Sequence, residues 1–467
     1  MKILALIFFI LSLVIISVFG KLPQTFYQQD EWNSLGLVLG EGINSVFNGV
    51  SSPLDFLFVK GRILASFISF LFATYFPLQN APLAILAIAL HIIATFLIFV
   101  LIRKFIRNNI FSLLGAISFA VNGVSHGAVT WPAIAINAVT STIILLLAIL
   151  FFFKYLNSPK SKWLFLAGVM IYISLWFKET GFYLFLLLPL SAAFLQRYSP
   201  LTFLKAYWAF FLGFMLIVSY RIIDLKLRTI PANLYITGQD ENFFSTILLR
   251  SILYPLTSFS LMFVPGDQFL SFARSVLRQI YPFFATLPQN ILIAQTVILD
   301  LLAVVLTLFI LMILILLLQK EKLDTKKIVS FWLAFTFMSF LPYILISKDF
   351  SYLEGRYYYL SMVGGAFLLS WVIKRLWEIF SPRVFYLSVL PLFIFYLIFH
   401  ASVVQGAITE QVRLSNIRKD FITQLKMLVP TLDNKRQIIY LTSDLNYWAD
   451  GNKIPFQQGS GFTFMVL

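Results

Sequence analysis

The chain has no cysteine, and it has only three histidines among its 467 residues. Without cysteine, a disulfide-stapled scaffold and a thiolate metal site are both excluded. Three histidines leave little room for a histidine-based metal cluster. Charged residues are also scarce, at 12% of the chain, whereas a soluble globular protein has about 25%. A single soluble core of this size is therefore excluded.

Apolar residues are abundant instead, because 60% of the residues are hydrophobic and 52 are phenylalanine. The apolar runs are long and lack the alternation of barrel strands, so they predict membrane-spanning helices. We predict about eleven spans, at residues 3–19, 82–102, 109–124, 136–153, 163–177, 181–196, 203–220, 291–318, 328–347, 357–374 and 384–400. The first also fits a signal peptide, although we expect a retained anchor. The predicted fold class is an all-α polytopic membrane protein.

The distribution of charge predicts the orientation. Lys and Arg outnumber Asp and Glu by 35 to 20, which often indicates nucleic-acid binding. Here, however, the basic residues form short clusters between apolar runs, which is typical of topology signals. With a cytoplasmic N-terminus, the short inner loops carry those clusters and just three acids, Glu321, Asp324 and Glu378. We therefore expect a multi-pass protein of the plasma membrane with its C-terminus outside and no nucleic-acid partner.

The long outer segments predict the domain organisation. Residues 1–400 form the transmembrane domain, with large outer loops at 20–81 and 221–290, and residues 401–467 form a small outer segment. Segment 54–76 is apolar but carries two basic residues, so we expect a helix lying in the outer interface. Segment 243–264 is either a similar helix or a broken twelfth span. Residues 437–442 have the composition of a strand.

Four polar features fall beside helix ends on the predicted outer side. Each alone has an ordinary explanation, as a solvated acid pair, an aromatic anchor, an interfacial ion pair or a snorkelling arginine. Together they place acids, a histidine, a lysine and an arginine on one membrane face. The features are Asp30-Glu31, His126 with Trp131, Lys178-Glu179 in WFKETG, and Arg356-Tyr357 in EGRYYYL.

In their order along residues 1–375, these motifs resemble the GT-C superfamily of polytopic glycosyltransferases, and within it the protein O-mannosyltransferases and the transmembrane-and-TPR O-mannosyltransferases. Asp30-Glu31 matches the paired acid of the family's first outer loop, and Gly61–Leu64 matches its juxtamembrane helix without the family's proline. The histidine-tryptophan segment matches at His126 and Trp131, but Asn122-Gly123 replaces its first His-Pro. The turn at Lys178–Gly181 and the segment Arg356–Leu360 match the family's motifs without substitution. No TPR array follows.

The resemblance implies an enzyme that moves a sugar, with a mannose-like hexose favoured, from a polyprenyl-phosphate donor to an acceptor hydroxyl outside the membrane, with inversion at C1. A glycosidase needs two carboxylates because its leaving group must be protonated. A polyprenyl phosphate is already a good leaving group, so one base and cations are enough. The acceptor is a protein, a lipid or a glycan. No cofactor is implied, although Asp30-Glu31 could hold a divalent metal.

The resemblance also assigns roles to particular residues. Asp30 is the expected general base, with Glu31 as its positioning or acceptor-binding neighbour. The expected contacts to the donor phosphate are Lys178, Arg356 and Arg62. The remaining expected pocket residues are His126, Trp131, Glu179, Tyr357 and His91, although for His91 a buried, hydrogen-bonded histidine in the core is the favoured explanation.

The sequence is also compatible with two other functions. A transporter or flippase of lipid-linked sugars would show repeats, broken helices and polar groups near the midplane. In this chain most of the charged residues that could take part in chemistry lie at one membrane interface. Asp300, which falls within a predicted span, is the exception. A polymerase or ligase of surface polysaccharide would share the membrane, the side and the substrates. A purely structural membrane protein is a third, less favoured alternative.

Overall fold

A computed structural model describes residues 2–27, 29–195, 200–227, 242–280, 288–346 and 353–428. Within these ranges every regular element is a helix and no strand forms, which confirms the predicted all-α class. The predicted strand at 437–442 lies outside the described residues.

Eighteen α-helices follow one another along the described ranges, with short 3-10 turns between several of them. In chain order they are α1 (Lys2–Phe19), α2 (Gln29–Glu41), α3 (Pro53–Leu57), α4 (Ile63–Tyr75), α5 (Ala81–Ile106), α6 (Asn109–Ala120), α7 (Gly127–Thr130), α8 (Pro132–Asn157), α9 (Ser161–Leu175), α10 (Leu184–Leu195), α11 (Pro200–Leu227), α12 (Phe243–Leu261), α13 (Gly266–Ile280), α14 (Pro288–Gln319), α15 (Leu323–Met338), α16 (Ser361–Ile379), α17 (Pro382–Val384) and α18 (Leu390–Leu428). A π-helical turn over Phe385–Val389 joins α17 to α18.

Several of these helices are long enough to cross a membrane, since about 20 residues span about 30 Å of hydrocarbon. Within the described ranges seven stretches have the necessary length and apolar composition: Lys2–Gln24, Ala81–Ile106, Pro132–Asn157, Leu201–Leu227, Phe243–Leu261, Thr296–Gln319 and Pro382–Leu428. The chain is therefore a multi-pass membrane protein. Other predicted spans correspond to shorter apolar helices such as α6, α9 and α10, so the total of eleven stays a prediction.

Three elements differ from the sequence-based prediction. The expected helix at 54–76 is divided into α3 and α4, because Val59 and Arg62 have the left-handed φ angles of 59° and 51°. Helix α13 lies in the segment predicted as the second large outer loop, and the helix itself was not predicted. The last predicted span does not end at residue 400, since α18 continues without interruption to Leu428.

The continuation of α18 has a simple physical reason. Between Pro391 and Pro430 the chain contains no proline, the residue that most strongly interrupts a helix. Beyond residue 400 the buried side chains of Val404, Ile408 and Ser415 recur at helical spacing. The change in composition at residue 401 is thus a change from an apolar to an amphipathic helix.

Close packing between α6 and α16 holds the middle of the bundle together. Gly115 allows this approach, because a Cβ there would lie 2.8 Å from the Ala366 carbonyl oxygen. The Ser370 hydroxyl donates to the Phe111 carbonyl at 2.8 Å. Small residues and hydroxyl groups of this kind are typical of helix contacts in membranes. This contact brings the segment before α16 close to the loop that follows α6.

A buried ionic network ties the segment between α1 and α5 to the end of α11. The Lys60 ammonium lies 3.2 Å from Asp55 and 3.0 Å from Asp224. Asp55 also accepts hydrogen bonds from the Tyr220 hydroxyl and from Ser51. These donors hold the pKa of Asp55 well below its usual range. The network fixes α3, and with it the start of α4, against the helical bundle.

Candidate functional site

The acid pair in α2 contacts the loop between α6 and α8. Glu31 is buried, and its Oε2 accepts a hydrogen bond of 3.0 Å from the indole nitrogen of Trp131. Trp131 directly precedes α8. This bond joins two motifs that lie 100 residues apart in the chain.

Arg356 extends this contact from Trp131 to the start of α16. The guanidinium carbon of Arg356 lies 5.0 Å from the centre of the Trp131 ring and 5.3 Å from that of Tyr357. Its Nε lies 2.5 Å from a carboxylate oxygen of Glu354. The backbone comes close enough only because residue 355 is glycine, since a Cβ there would collide with the Val124 carbonyl.

Lys178 is buried beside a stacked pair of tyrosine rings. Its side chain is 7% exposed, and its ammonium lies 5.8 Å from the ring centre of Tyr343 and 5.5 Å from that of Tyr357. The two rings stack, with centres 4.5 Å apart. Among the described residues no carboxylate forms an ion pair with Lys178. Burial and the neighbouring guanidinium of Arg62 lower the pKa of Lys178 to about 7.

Arg62 and Glu179 form a forked ion pair beside Lys178. Nε and Nη2 of Arg62 donate to the two carboxylate oxygens of Glu179 at 2.9 and 2.8 Å. The two side chains remain about 40% exposed. The pair links the N-terminus of α4 to the turn between α9 and α10. Two parallel bonds of this kind fix the relative orientation of both partners.

These contacts form a continuous chain of polar and aromatic groups at one end of the helices. Within it Arg62, Lys178 and Arg356, hereafter the cationic cluster, interact electrostatically with one another across the Lys178 ammonium. Cations beside aromatic rings at a helix end suit an anion that is partly withdrawn from water. The arrangement can therefore hold a phosphate group next to a carboxylate.

Three further predicted residues take different positions. His91 is buried in α5, and both of its ring nitrogens are bonded to protein groups, to the Tyr359 hydroxyl at 2.8 Å and to the Ala120 carbonyl at 3.0 Å. This matches the core histidine expected as the alternative to a pocket role. Asp30 belongs to α2, but its side chain lies outside the part of the chain that the structure describes.

His126 is the third, and it is bonded locally rather than to the cationic cluster. Its Nδ1 lies 3.2 Å from the Thr130 hydroxyl. Burial lowers the pKa of His126 to about 4, and the nearby carboxylate of Asp267 in α13 opposes this shift. His126 is therefore neutral at pH 7 and adds no positive charge to the site.

The C-terminal half of α18 packs near Glu31, a contact that the sequence did not reveal. The Ser415 hydroxyl accepts a bond of 2.8 Å from the Phe26 amide, and Ile422 packs against Trp32. Arg418 lies buried on the same helix face, where the charge of Glu31 acts on its guanidinium. In the sequence, this shared helix face was indicated only by the i, i+3, i+7 spacing of Ser415, Arg418 and Ile422.

Two other residues of the site region were also missed. Tyr343 forms one wall around Lys178. His400 of α18 accepts a bond of 2.8 Å from the Gly123 amide through Nδ1, so that its Nε2 donates to the Phe263 carbonyl at 3.0 Å. His400 thereby holds the loop before His126 against the turn after α12.

Among the residues that the structure describes, no group of three or more acidic or histidine side chains is placed to hold a metal ion. The possible metal at Asp30-Glu31 involves a side chain outside that part, so the expectation about metal dependence stays a prediction. A scan with protein-family models finds no match for this chain, and a search of curated proteins finds none either. The resemblance to GT-C glycosyltransferases therefore depends on the motifs alone.

Proposed function

We propose that the protein is a glycosyltransferase that moves a mannose-like hexose from a polyprenyl phosphate to an acceptor hydroxyl. The observation that carries the proposal is the convergence of Arg62, Lys178 and Arg356, with Arg356 over the ring of Trp131, whose indole binds the buried carboxylate of Glu31. A lipid phosphate joins an anion to an apolar tail, so it suits cations at the end of membrane helices. Each of these residues belongs to one of the motifs of the resemblance.

The proposed reaction is a single displacement at C1 of the sugar. The acceptor oxygen forms the new bond to C1 while the bond from C1 to the phosphate oxygen breaks, which inverts the configuration. Asp30 takes the proton of the acceptor hydroxyl. Arg356 and Lys178 offset the charge that develops on the departing polyprenyl phosphate. In this scheme Glu31 orients the acid pair through Trp131.

A transfer assay tests this function directly. Purified protein in liposomes is mixed with radiolabelled polyprenyl phosphomannose and with membranes of the expressing cell as the source of acceptor. We expect labelled acceptor and released polyprenyl phosphate, and we expect Lys178→Gln to remove both. Lys160→Gln, an exposed lysine between α8 and α9, serves as the matched control. Movement of intact donor across the bilayer without release would favour the transporter instead.

Donor binding should depend on pH through Lys178. Below its pKa of about 7 Lys178 is charged and binds the phosphodiester, and as pH rises through 7 this charge is lost. We expect donor affinity to fall between pH 6 and pH 8, by up to about tenfold per unit above the pKa because one proton is linked to binding. Lys178→Arg should remove the dependence, since arginine stays protonated. An unchanged pH profile in that variant would exclude Lys178 as its source.

We also propose that the site faces the outside of the plasma membrane, with the N-terminus in the cytoplasm, because the basic loops favour this orientation. Single cysteines test it cleanly, since the chain has none of its own. An impermeant thiol reagent applied to intact cells should label Glu41→Cys at the end of α2 but not Asn157→Cys at the end of α8. Both positions are exposed. The reverse labelling pattern would invert the topology.

A further inference from the structure

A cavity of about 490 Å³ lies beside the cationic cluster, between α2, α4, the first turns of α8 and the end of α11. Ligand sites typically have volumes of about 300–1,000 Å³. The cavity shares Arg62 and Glu179 with the site already described, whereas Lys178, Arg356 and Tyr357 are not among its lining residues. The forked Arg62–Glu179 pair thus forms a wall between the cavity and the proposed position of the donor phosphate.

Hydroxyl and amide groups line much of this cavity. Ser34 of α2, Ser69 of α4 and Asn137 of α8 come from three different helices. Within the described ranges their side chains make no hydrogen bonds to other protein groups. Apolar side chains such as Leu37 and Ile134 lie between them. Polar groups spaced by apolar patches match the alternating hydroxyl groups and carbon faces of a sugar ring.

The cavity also contains the guanidinium of Arg221, which acts electrostatically on the Glu179 carboxylate but forms no ion pair with it. Lys60 is paired with Asp55 and Asp224, and Arg62 is paired with Glu179. Arg221 of α11 donates one bond of 3.1 Å to the Val59 carbonyl and, among the described residues, forms no ion pair. Its remaining N–H groups suit a carboxylate or phosphate of a ligand.

We infer that this cavity binds the acceptor, and that the acceptor is a glycan whose reacting sugar unit, or the unit next to it, carries an acidic group. The inference rests on the proposed function, because it places the acceptor on the opposite side of the Arg62–Glu179 pair from the donor phosphate. Asn137, Ser34 and Ser69 contact the hydroxyl groups, and Arg221 binds the acid. A hydroxyl of the bound sugar then lies on the side of α2 that carries the acid pair.

The lining favours a sugar over a peptide. An extended peptide is usually bound through its main chain at a sheet edge, in a groove for a helix or on an aromatic surface. The cavity walls, as far as the described residues form them, consist of helices and loops and offer neither a sheet edge nor an aromatic surface. Because Lys60 and Arg62 each already form an ion pair with a carboxylate, Arg221 provides the point of anion recognition on the cavity side of the Arg62–Glu179 pair. This favours one acidic group and not a polyanion.

Binding of small acceptor analogues to the purified protein in nanodiscs tests the inference, measured by calorimetry and by saturation-transfer NMR. The probes are a glucuronate-containing disaccharide, a phosphorylated disaccharide, a neutral disaccharide and a threonine-containing hexapeptide. We expect at least one acidic disaccharide to bind more tightly than the neutral one, and the two acidic probes separate a carboxylate from a phosphate. Equal binding of neutral and acidic sugars, or binding of the peptide alone, would overturn the inference.

Two variants link that binding to the cavity. Arg221→Gln should weaken the acidic disaccharide about ten- to hundredfold, the range for loss of a charged hydrogen bond. Ser69→Trp should block the cavity from α4 while leaving Arg221 in place. Thermal unfolding shows whether each variant is folded, and Arg221→Lys should regain part of the affinity. Acidic-sugar binding that is unaffected by both Arg221→Gln and Ser69→Trp would place that binding elsewhere.

Binding of polyprenyl phosphomannose is measured on the same samples. It should be unchanged in Arg221→Gln, because Arg221 lies outside the cationic cluster. If the wild-type protein binds an acidic sugar but no lipid-linked donor, the proposed function fails while the sugar site stands. If it binds the donor but no sugar probe, the cavity inference fails alone.

Discussion

Replacing Asp30 with asparagine is expected to slow sugar transfer by about 10²–10⁴-fold, the usual cost of losing a general base. Asparagine has nearly the same shape as aspartate but cannot take the proton of the acceptor hydroxyl. Donor binding should stay at the wild-type level, since the cationic cluster is intact in this variant. Initial rates with radiolabelled donor and a separate donor-binding measurement give both quantities.

Glu31→Gln is the matched control for that experiment. The Glu31 carboxylate is already engaged by the Trp131 indole at 3.0 Å and faces Arg418. Glutamine can still accept the bond from Trp131, although it loses the charge opposite Arg418. We therefore expect a smaller decrease in rate than for Asp30→Asn. A larger decrease for Glu31→Gln, with the protein still folded, would move the role of the base to Glu31.

Much of the helical framework could be predicted because hydropathy is a local property. The long apolar helices α5 and α8 follow directly from runs of hydrophobic residues. The association of Trp131, Lys178 and Arg356 was also predictable, because each lies at a helix end on the same predicted side of the membrane. Topology alone brings such positions to one surface, and only the distances between their side chains required the structure.

Contacts that depend on tertiary packing could not be predicted in this way. The role of α18 near Glu31 depends on a helix that continues 28 residues past residue 400 and packs against Phe26 and Trp32. The placement of Arg62 depends on left-handed backbone at Val59 and Arg62, neither of which is glycine. Such conformations cost energy at non-glycine residues and are held by the surrounding structure, so no local pattern reveals them.

Arg356 gives the second large expected effect. Arg356→Gln should slow transfer by about 10²–10³-fold, the cost of removing one donor that stabilises charge in a transition state. Arg356→Lys should fall between Gln and wild type, because lysine keeps the charge and the contact with the Trp131 ring but cannot form two parallel bonds to a phosphate. Initial rates and donor affinity are measured for both variants.

The alternative role for Arg356 is a structural one, in which it only joins Trp131 to Glu354 and holds the loop before α16. The two roles predict different results for Arg356→Lys, because lysine can largely replace arginine in stacking on a ring and in forming an ion pair. Arg375→Lys provides the comparison on the same helix, since Arg375 forms ion pairs with Glu378 and Glu321 at the other end of α16. If Arg356 contacts the phosphate, Arg356→Lys should transfer sugar more slowly than the wild type at an unchanged unfolding temperature. Arg375→Lys should transfer sugar at the wild-type rate. If Arg356→Lys also transfers at the wild-type rate, Arg356 serves the loop, and Lys178 with Arg62 must hold the phosphate without it.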